Sequence, residues 1–451
     1  MSLRFLRITV FWLLLMSLLS AKAFPQERVL SLREAIEAAL SGNPELRAYE
    51  KSLSAQKEEI GIAKSFLLPK LVFEERFMRT NNPTYVFMSK LNQERFSKDD
   101  LAGAPDTFNY PDPISNFQTS LSFEQAIFAP KANAGFDMAK EEYSAKREDF
   151  SRKREEVVLN VFRTFLWIQT AKEFVAVSEK GIEDAREHVR IAEKRYKTGL
   201  GLYSDMLRAG VALSSAEERN VSARKDLAVA KKALALLMGL TEAVDVRGDR
   251  PDLEVREMEY YAGTALSRKD LKGIETRYRN SENALRMVEA GYLPIIGLGG
   301  AYELDHHERP FGEEGKSWQV TAFLRWELFD GTKRQHERSK AKFQIAEAGE
   351  YIAGLKKKIS FQVYEAYLTV EAERKRQELA EHALKSAEEG RRLVRTRYEN
   401  SLSTMVDLLD VQTNLDVSRA NVVEKQGAYL AAVANLGFQS GTIMKDLGIE
   451  D

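Results

Sequence analysis

Two hydrophobic periods alternate along this chain and then repeat. From Ser31 to Lys64 the apolar positions Leu32, Ala35, Ile36, Ala39 and Leu40 recur at helical spacing. Ser31 with Glu34 three residues on forms a capping box, and Gly42-Asn43-Pro44 breaks the helix before it restarts. After Pro69 the period drops to two. Leu71, Phe73 and Phe77 alternate with Val72, Glu74 and Arg76, predicting a strand over 70–79. Phe117, Thr119, Leu121 and Phe123 alternate with Gln118, Ser120, Ser122 and Glu124, predicting a second over 116–128. Between them Pro83, Pro105, Pro111 and Pro113 mark a long loop, with some helix around Phe87 to Arg95.

Lys131 to Thr198 contains no proline, and Val158, Val161, Phe165 and Ile168 follow 3-4-3 spacing. At ~1.5 Å per residue such a helix is about 100 Å long, which predicts a coiled-coil-like rod. Gly199-Leu200-Gly201 turns the chain, and Tyr203 to Met238 returns as a shorter helix. A second unit follows the same plan: helix Tyr260 to Gly291, strands 295–304 and 317–329, long helix Thr332 to Glu399, return helix Ser403 to Leu436. Leu293-Pro294 repeats Leu68-Pro69, and Arg397-Tyr398 with Asp407 repeats Arg195-Tyr196 with Asp205. The expected division is therefore 24–250 and 251–451. The first unit has the longer loop between its strands: Pro69 to Phe128 spans 59 residues, Pro294 to Phe329 spans 35.

The remaining composition narrows the function. Arg4 and Arg7, the apolar run Ile8 to Leu19 and Ala21-Lys22-Ala23 form an export signal over residues 1–23. The alternative is an uncleaved anchor, although a run of about a dozen residues is short of the ~20 a spanning helix needs. A net charge of −1 gives no reason to expect a nucleic-acid partner. The absence of cysteine removes disulfides, thiolate metal sites and thiol catalysis. The chain has no phosphate-binding glycine loop, nucleophile elbow or metalloprotease pair, so neither an enzyme nor a cofactor is expected. His306 and His307 are adjacent, so their side chains are expected to diverge as part of a solvated loop, with no metal bound.

Four strands cannot close a barrel, and an open strand edge in lipid costs several kcal/mol per unpaired group. If these strands cross a bilayer, several chains must share one barrel; a soluble antiparallel sheet is the alternative. Trp318 and Trp326 lie eight residues apart on one face, about 27 Å at ~3.4 Å per residue, which suits the aromatic girdles of an outer-membrane barrel.

The signal, the missing cysteine, the Leu-Pro before each strand pair, Trp326-Glu327-Leu328-Phe329-Asp330-Gly331 and the two Arg-Tyr…Asp turns together resemble the TolC-like outer-membrane efflux protein family. The resemblance covers nearly all of the mature chain. It implies a mainly α fold with a small β part: a homotrimer whose strands form a twelve-stranded barrel in outer-membrane lipid, continued by a periplasmic helical tunnel. It implies a passive export duct of an efflux or type I secretion system, opened by a periplasmic adaptor and an inner-membrane pump of RND or ABC type. Tyr398, Asp407 and Asp410 match the family's periplasmic constriction, and Asp205 the corresponding aspartate of the first unit. Gly199, Gly201, Leu202, Ser401 and Leu402 would meet the adaptor. Two plainer readings stand beside these: the aspartates as helix N-terminal acids favoured by the dipole, and the glycines as simple turn formers. For the whole chain, a soluble periplasmic coiled-coil scaffold is the alternative.

Overall fold

The computed structural model describes residues 28–102, 105–248, 250–251 and 253–449. The expected export signal at 1–23 lies outside them. In chain order the elements are β1 (Arg28–Leu30), α1 (Leu32–Gly42), α2 (Pro44–Ser65), β2 (Lys70–Thr80), α3 (Pro83–Asn92), α4 (Lys98–Ala102), α5 (Asp106–Asn109), β3 (Ile114–Phe128), α6 (Pro130–Lys197) and α7 (Tyr203–Leu237). There follow β4 (Val244–Val246), α8 (Met258–Ala265), α9 (Lys269–Glu289), β5 (Ile295–His306), β6 (Gly315–Arg325), α10 (Lys333–Glu399), α11 (Met405–Ser440) and α12 (Ile443–Asp446). The helix expected from Tyr260 to Gly291 is broken at 266–268, where Arg268 Nη1 donates to the Gln439 carbonyl and to Gln362.

Packing divides the chain differently from the sequence repeat. One compact unit takes the described residues up to Glu50, Phe150–Lys269 and Lys356 onward; the other takes Lys51–Asp149 and Asp270–Leu355. Each unit thus draws on both repeats.

The first unit is helical. The 3-4-3 positions Val158, Val161, Phe165 and Ile168 of α6 are all buried, with Phe162, Ile36, Leu234 and Ile443 in the same core. β1 and β4 pair in parallel, Arg28 opposite Val244 and Leu30 opposite Val246. The capping box at α1 forms: Ser31 Oγ accepts from the Glu34 amide, and Glu34 Oε2 accepts from the Ser31 amide at 2.7 Å. Burial of this apolar stripe, at about 25 cal/mol per Å², holds the long helices to their neighbours.

The second unit carries a four-stranded antiparallel sheet in the order β2-β3-β5-β6. β3 joins the two repeats, pairing Phe117 with His306 and Phe123 with Gly300, with an irregularity between Ala126 and Phe128. The sheet is open, and β2 and β6 are its edges. Apolar side chains on both edges face outward, among them Leu71, Phe73, Trp318 and Val320. Among the described residues no helix is long and apolar enough to cross a membrane.

Strand β6 stops at Arg325, short of the expected Phe329. Its last pair is Ile295–Arg325. Pro294 precedes Ile295 and has no N–H to extend the ladder. Trp326 instead donates from Nε1 to the Tyr292 carbonyl at 3.0 Å. Trp318 and Trp326 are both exposed, but they do not share one strand, so the 27 Å spacing inferred from strand alternation does not apply.

The stretch between β2 and β3 is more structured than a loop. Phe87 packs edge-on against Phe96 and Phe108, with ring centroids 5.0 and 5.6 Å away. Fully buried Gln93 anchors it: Nε2 donates to Asn116 Oδ1 at 2.7 Å, and Asn116 Nδ2 donates to Asp305 Oδ1 at 2.6 Å. Gly315 makes this docking possible, because a Cβ there would sit 1.6 Å from the Asn92 carbonyl oxygen. A Gly315→Ala variant is therefore expected to undock the segment at a cost of about 1–3 kcal/mol, the range for overpacking. Limited proteolysis should show faster cleavage between β2 and β3, with the helical unit unaffected.

Candidate functional site at the hairpin tips

The two long helices end in the same backbone device. At the end of α6 the Leu200 amide donates to the Arg195 carbonyl (2.8 Å) and the Gly199 amide to the Tyr196 carbonyl (3.0 Å). At the end of α10 the Leu402 amide donates to the Arg397 carbonyl (2.8 Å) and the Ser401 amide to the Tyr398 carbonyl (3.0 Å). This is the Schellman closure, which requires a left-handed residue after the helix. Gly199 supplies it at φ 75°, Ser401 at φ 62°. Glycine takes that conformation freely, whereas serine pays about 1–2 kcal/mol. Gly201 serves closeness instead: a Cβ there would lie 2.9 Å from the Arg195 Cβ. Leu200, Leu202 and Leu402 project into solvent.

One arginine ties the tips together. Arg195 Nη1 donates to the Tyr398 carbonyl at 3.0 Å and Nη2 to Ser401 Oγ at 2.9 Å. Its guanidinium carbon lies 4.9 Å from the centre of the Tyr398 ring. A cation there suits the negative end of α10 and the face of the aromatic ring. Tyr398 is 3% exposed and packs with Ala192, Ala209, Met405 and Leu408. Burial pushes its hydroxyl pKa up, and the Asp205 charge adds to this against the opposing pull of Arg195. The repeat-equivalent Tyr196 is exposed and rests on Tyr203, ring centroids 5.6 Å apart. The duplicated motif therefore does two different jobs.

The aspartates divide as well. Asp407 closes a capping box on α11: its Oδ2 accepts from the Thr404 amide at 2.8 Å, and its amide donates to Thr404 Oγ1 at 3.1 Å. These bonds from Thr404 hold its carboxyl below the usual aspartate range. Asp410, one turn further, is exposed, and its carboxylate makes no hydrogen bond or ion pair with the described residues. Asp205 stands in the first turn of α7, half-buried.

Deeper in the same unit lies a polar cluster that sequence reading missed. Asp184 on α6 is buried and accepts from Arg391 of α10 at 3.2 Å, and from Arg419 and Gln412 of α11 at 3.0 and 3.2 Å. Gln412 also donates to Asp416 at 2.9 Å, which pairs with Arg219 of α7 at 3.3 Å. His188, 1% exposed, places Nε2 3.3 Å from Gln412 Oε1, while its Nδ1 has no partner. All four long helices thus contribute to one network. The available signal was the spacing of Asp184 with His188 and of Gln412 with Asp416, each pair sharing a helix face.

Comparison with known proteins adds an independent result. A family model described as outer membrane efflux protein matches residues 35–240 and 263–442. Protein CyaE of Bordetella pertussis is 23% identical over 431 residues, covering 92% of this chain and 86% of that protein. Outer membrane protein OprJ of Pseudomonas aeruginosa is 21% identical over 394 residues, covering 84% and 78%. The crystal structure of the outer membrane protein VceC from Vibrio cholerae superposes with a TM-score of 0.75 at 18% identity, covering 92% of this chain and 96% of that one.

Burial acts first on His188 and pushes its pKa down, with Arg391 and Arg395 adding to the shift and Gln412 and Asp184 opposing it. A ring that stays neutral when folded but takes up a proton when unfolded stabilises the fold above its unfolded pKa of about 6.5. That contribution is lost as pH falls through the depressed folded value. Asp416, whose carboxyl burial pushes up, contributes the opposite slope in the more acidic carboxylate range. Denaturation midpoints should therefore fall below about pH 6.5, and His188→Gln should flatten that decline.

Proposed function

The chain belongs to the outer membrane efflux protein family, and we propose that three copies of it share one barrel and one helical tunnel. As a family member it is an outer-membrane channel component of efflux or secretion, with a periplasmic helical tunnel. The observation that carries the shared barrel is the open sheet, whose strands β2 and β6 each have a strand partner on one side only and expose apolar side chains. In hydrocarbon each unpaired backbone group costs several kcal/mol, which favours joining β2 of one copy to β6 of the next. Trp318 and Trp326 are exposed aromatics suited to the membrane–water boundaries of such a barrel.

Two exposed apolar stripes support the same assembly. Leu207, Val211, Val221, Val229 and Leu236 fall on one face of α7; Phe361, Tyr364, Leu368, Leu379 and Leu393 fall on one face of α10. A second copy would cover them. The tip residues Gly199, Gly201, Leu202, Ser401 and Leu402 would then meet a periplasmic adaptor, joined in turn to an inner-membrane pump of RND or ABC type. The chain itself would carry out no reaction, and the pump would supply the energy.

Within this assembly Asp410 is the principal gate residue, since its carboxylate is committed to nothing else. Three copies would repel one another across a narrow pore and attract cations. Asp407, Asp205 and Tyr398 line or support the same constriction, with Asp407 divided between gate and helix cap. The first repeat carries Arg208 where the second carries Asp410, so the two hairpins would present opposite charges there.

The chain has no cysteine, so a panel pairing one introduced cysteine in β2 with one in β6 reports assembly directly. The expected product is an oxidised trimer ladder from membranes; monomer throughout the panel would overturn the shared barrel. In planar bilayers, Asp410→Asn should change conductance and weaken cation block with stability unchanged. Asp407→Asn should also cost about 1 kcal/mol through the cap. Wild-type conductance and block in Asp410→Asn would remove the gate assignment.

A further inference from the structure

The turn between β5 and β6 gathers side chains that sequence reading set apart. His306, His307 and Glu314 each offer one ligand atom, and these atoms lie within 4.8 Å of one another. The two rings do not diverge: they lie parallel, with centroids 5.3 Å apart and planes at 10°. β5 ends at His306, so strand alternation stops there. The chain then turns through Phe311 at φ 57° and returns Glu314 to the histidines. Gly312 packs against the His306 ring, where a Cβ would come within 2.2 Å of the ring carbon Cδ2. The partner that was lacking for the histidine pair is thus seven residues on, across the turn.

Ligand chemistry at His307 is arranged on both nitrogens. Nδ1 lies 2.6 Å from Glu314 Oε2, and Nε2 lies 3.2 Å from Glu308 Oε1. With an ion on Nδ1, the ring proton would sit on Nε2 and face Glu308, the carboxylate–histidine–metal arrangement that fixes the tautomer and raises ligand basicity. We propose that this turn binds one divalent first-row transition ion of the Zn²⁺ class, through His307 Nδ1, Glu314 and His306. The ion would replace the proton shared between His307 and Glu314. The two donors, now 2.6 Å apart, need to separate by roughly 0.7 Å to accept tetrahedral bonds of about 2.0–2.1 Å. His306 is the adjustable ligand, because its Nδ1 accepts the Glu308 and Arg309 amides at 3.0 and 3.2 Å and must release them. Two imidazoles and one carboxylate select zinc-like ions over Ca²⁺ and Mg²⁺, which prefer oxygen donors.

The test uses the full-length mature protein in detergent, without a histidine tag, stripped with a chelator and titrated with Zn²⁺ by calorimetry. One equivalent per chain should bind saturably, and Ca²⁺ should not compete. His307→Ala and Glu314→Gln should weaken binding by at least about tenfold, His306→Ala by less, and Glu313→Gln not at all. Circular dichroism and oligomer size should be unchanged in every variant, because the turn lies outside both cores. No saturable binding by the wild type, or wild-type affinity in His307→Ala and Glu314→Gln, overturns the site. The outcome is independent of how many copies assemble.

Discussion

Unpaired strand edges govern what this chain can be. A backbone N–H or C=O in hydrocarbon has no water to turn to, so spanning sheets persist only when closed. The sheet here has two free edges, and each edge strand exposes large apolar side chains among its polar ones, Leu71, Phe73 and Phe77 on β2 and Trp318, Val320 and Leu324 on β6. A soluble sheet of this kind would be an aggregation template and would ordinarily be blunted by charge or a bulge. Edges that carry phenylalanine, tryptophan and valine instead fit a setting in which another strand always arrives. The long helices are consistent with the same logic, since their cores are filled within one copy while α7 and α10 each keep an apolar stripe outward.

Duplication set the plan, and divergence assigned the roles. Both hairpins end in one backbone closure with the left-handed residue at the same repeat position, yet one copy uses glycine and the other serine. Serine accepts the strain and gains an oxygen that Arg195 can reach. Arg195 serves the other hairpin's helix end as well as its own, with a longer bond from Nη2 to the Leu200 carbonyl at 3.5 Å. Tyr398 is buried where Tyr196 is exposed. Such asymmetry lets one hairpin carry structure while the other keeps free groups, and Asp410 is the clearest of these.

Much of this was legible in the sequence, for identifiable reasons. The 3-4-3 run from Val158 to Ile168 marks the buried face of α6 because helical periodicity and burial are the same geometric fact. Strand pairs, turns and the capping box at Ser31 follow from equally local rules. What escaped depended on non-local partners. Trp326 left its strand because Pro294, 32 residues earlier in the sequence, has no amide to offer. Asp184 and His188 look like a solvated face until Arg391, Arg419 and Gln412 arrive from other helices. The histidine pair looked inert because its carboxylate returns only through a left-handed turn at Phe311.

The pairing of β3 with β5 carries a consequence for biogenesis. Gln118 and Asp305 stand opposite each other, although 187 positions of chain separate them. A contact that distant forms slowly, because the intervening loop must first be closed. During export β3 therefore emerges with one partner, β2, and waits for the intervening 187 positions before meeting its other neighbour. For that interval an unpaired strand edge is presented to the aqueous compartment. Keeping that edge apart from like strands until the second repeat arrives is a constraint that the order of synthesis imposes.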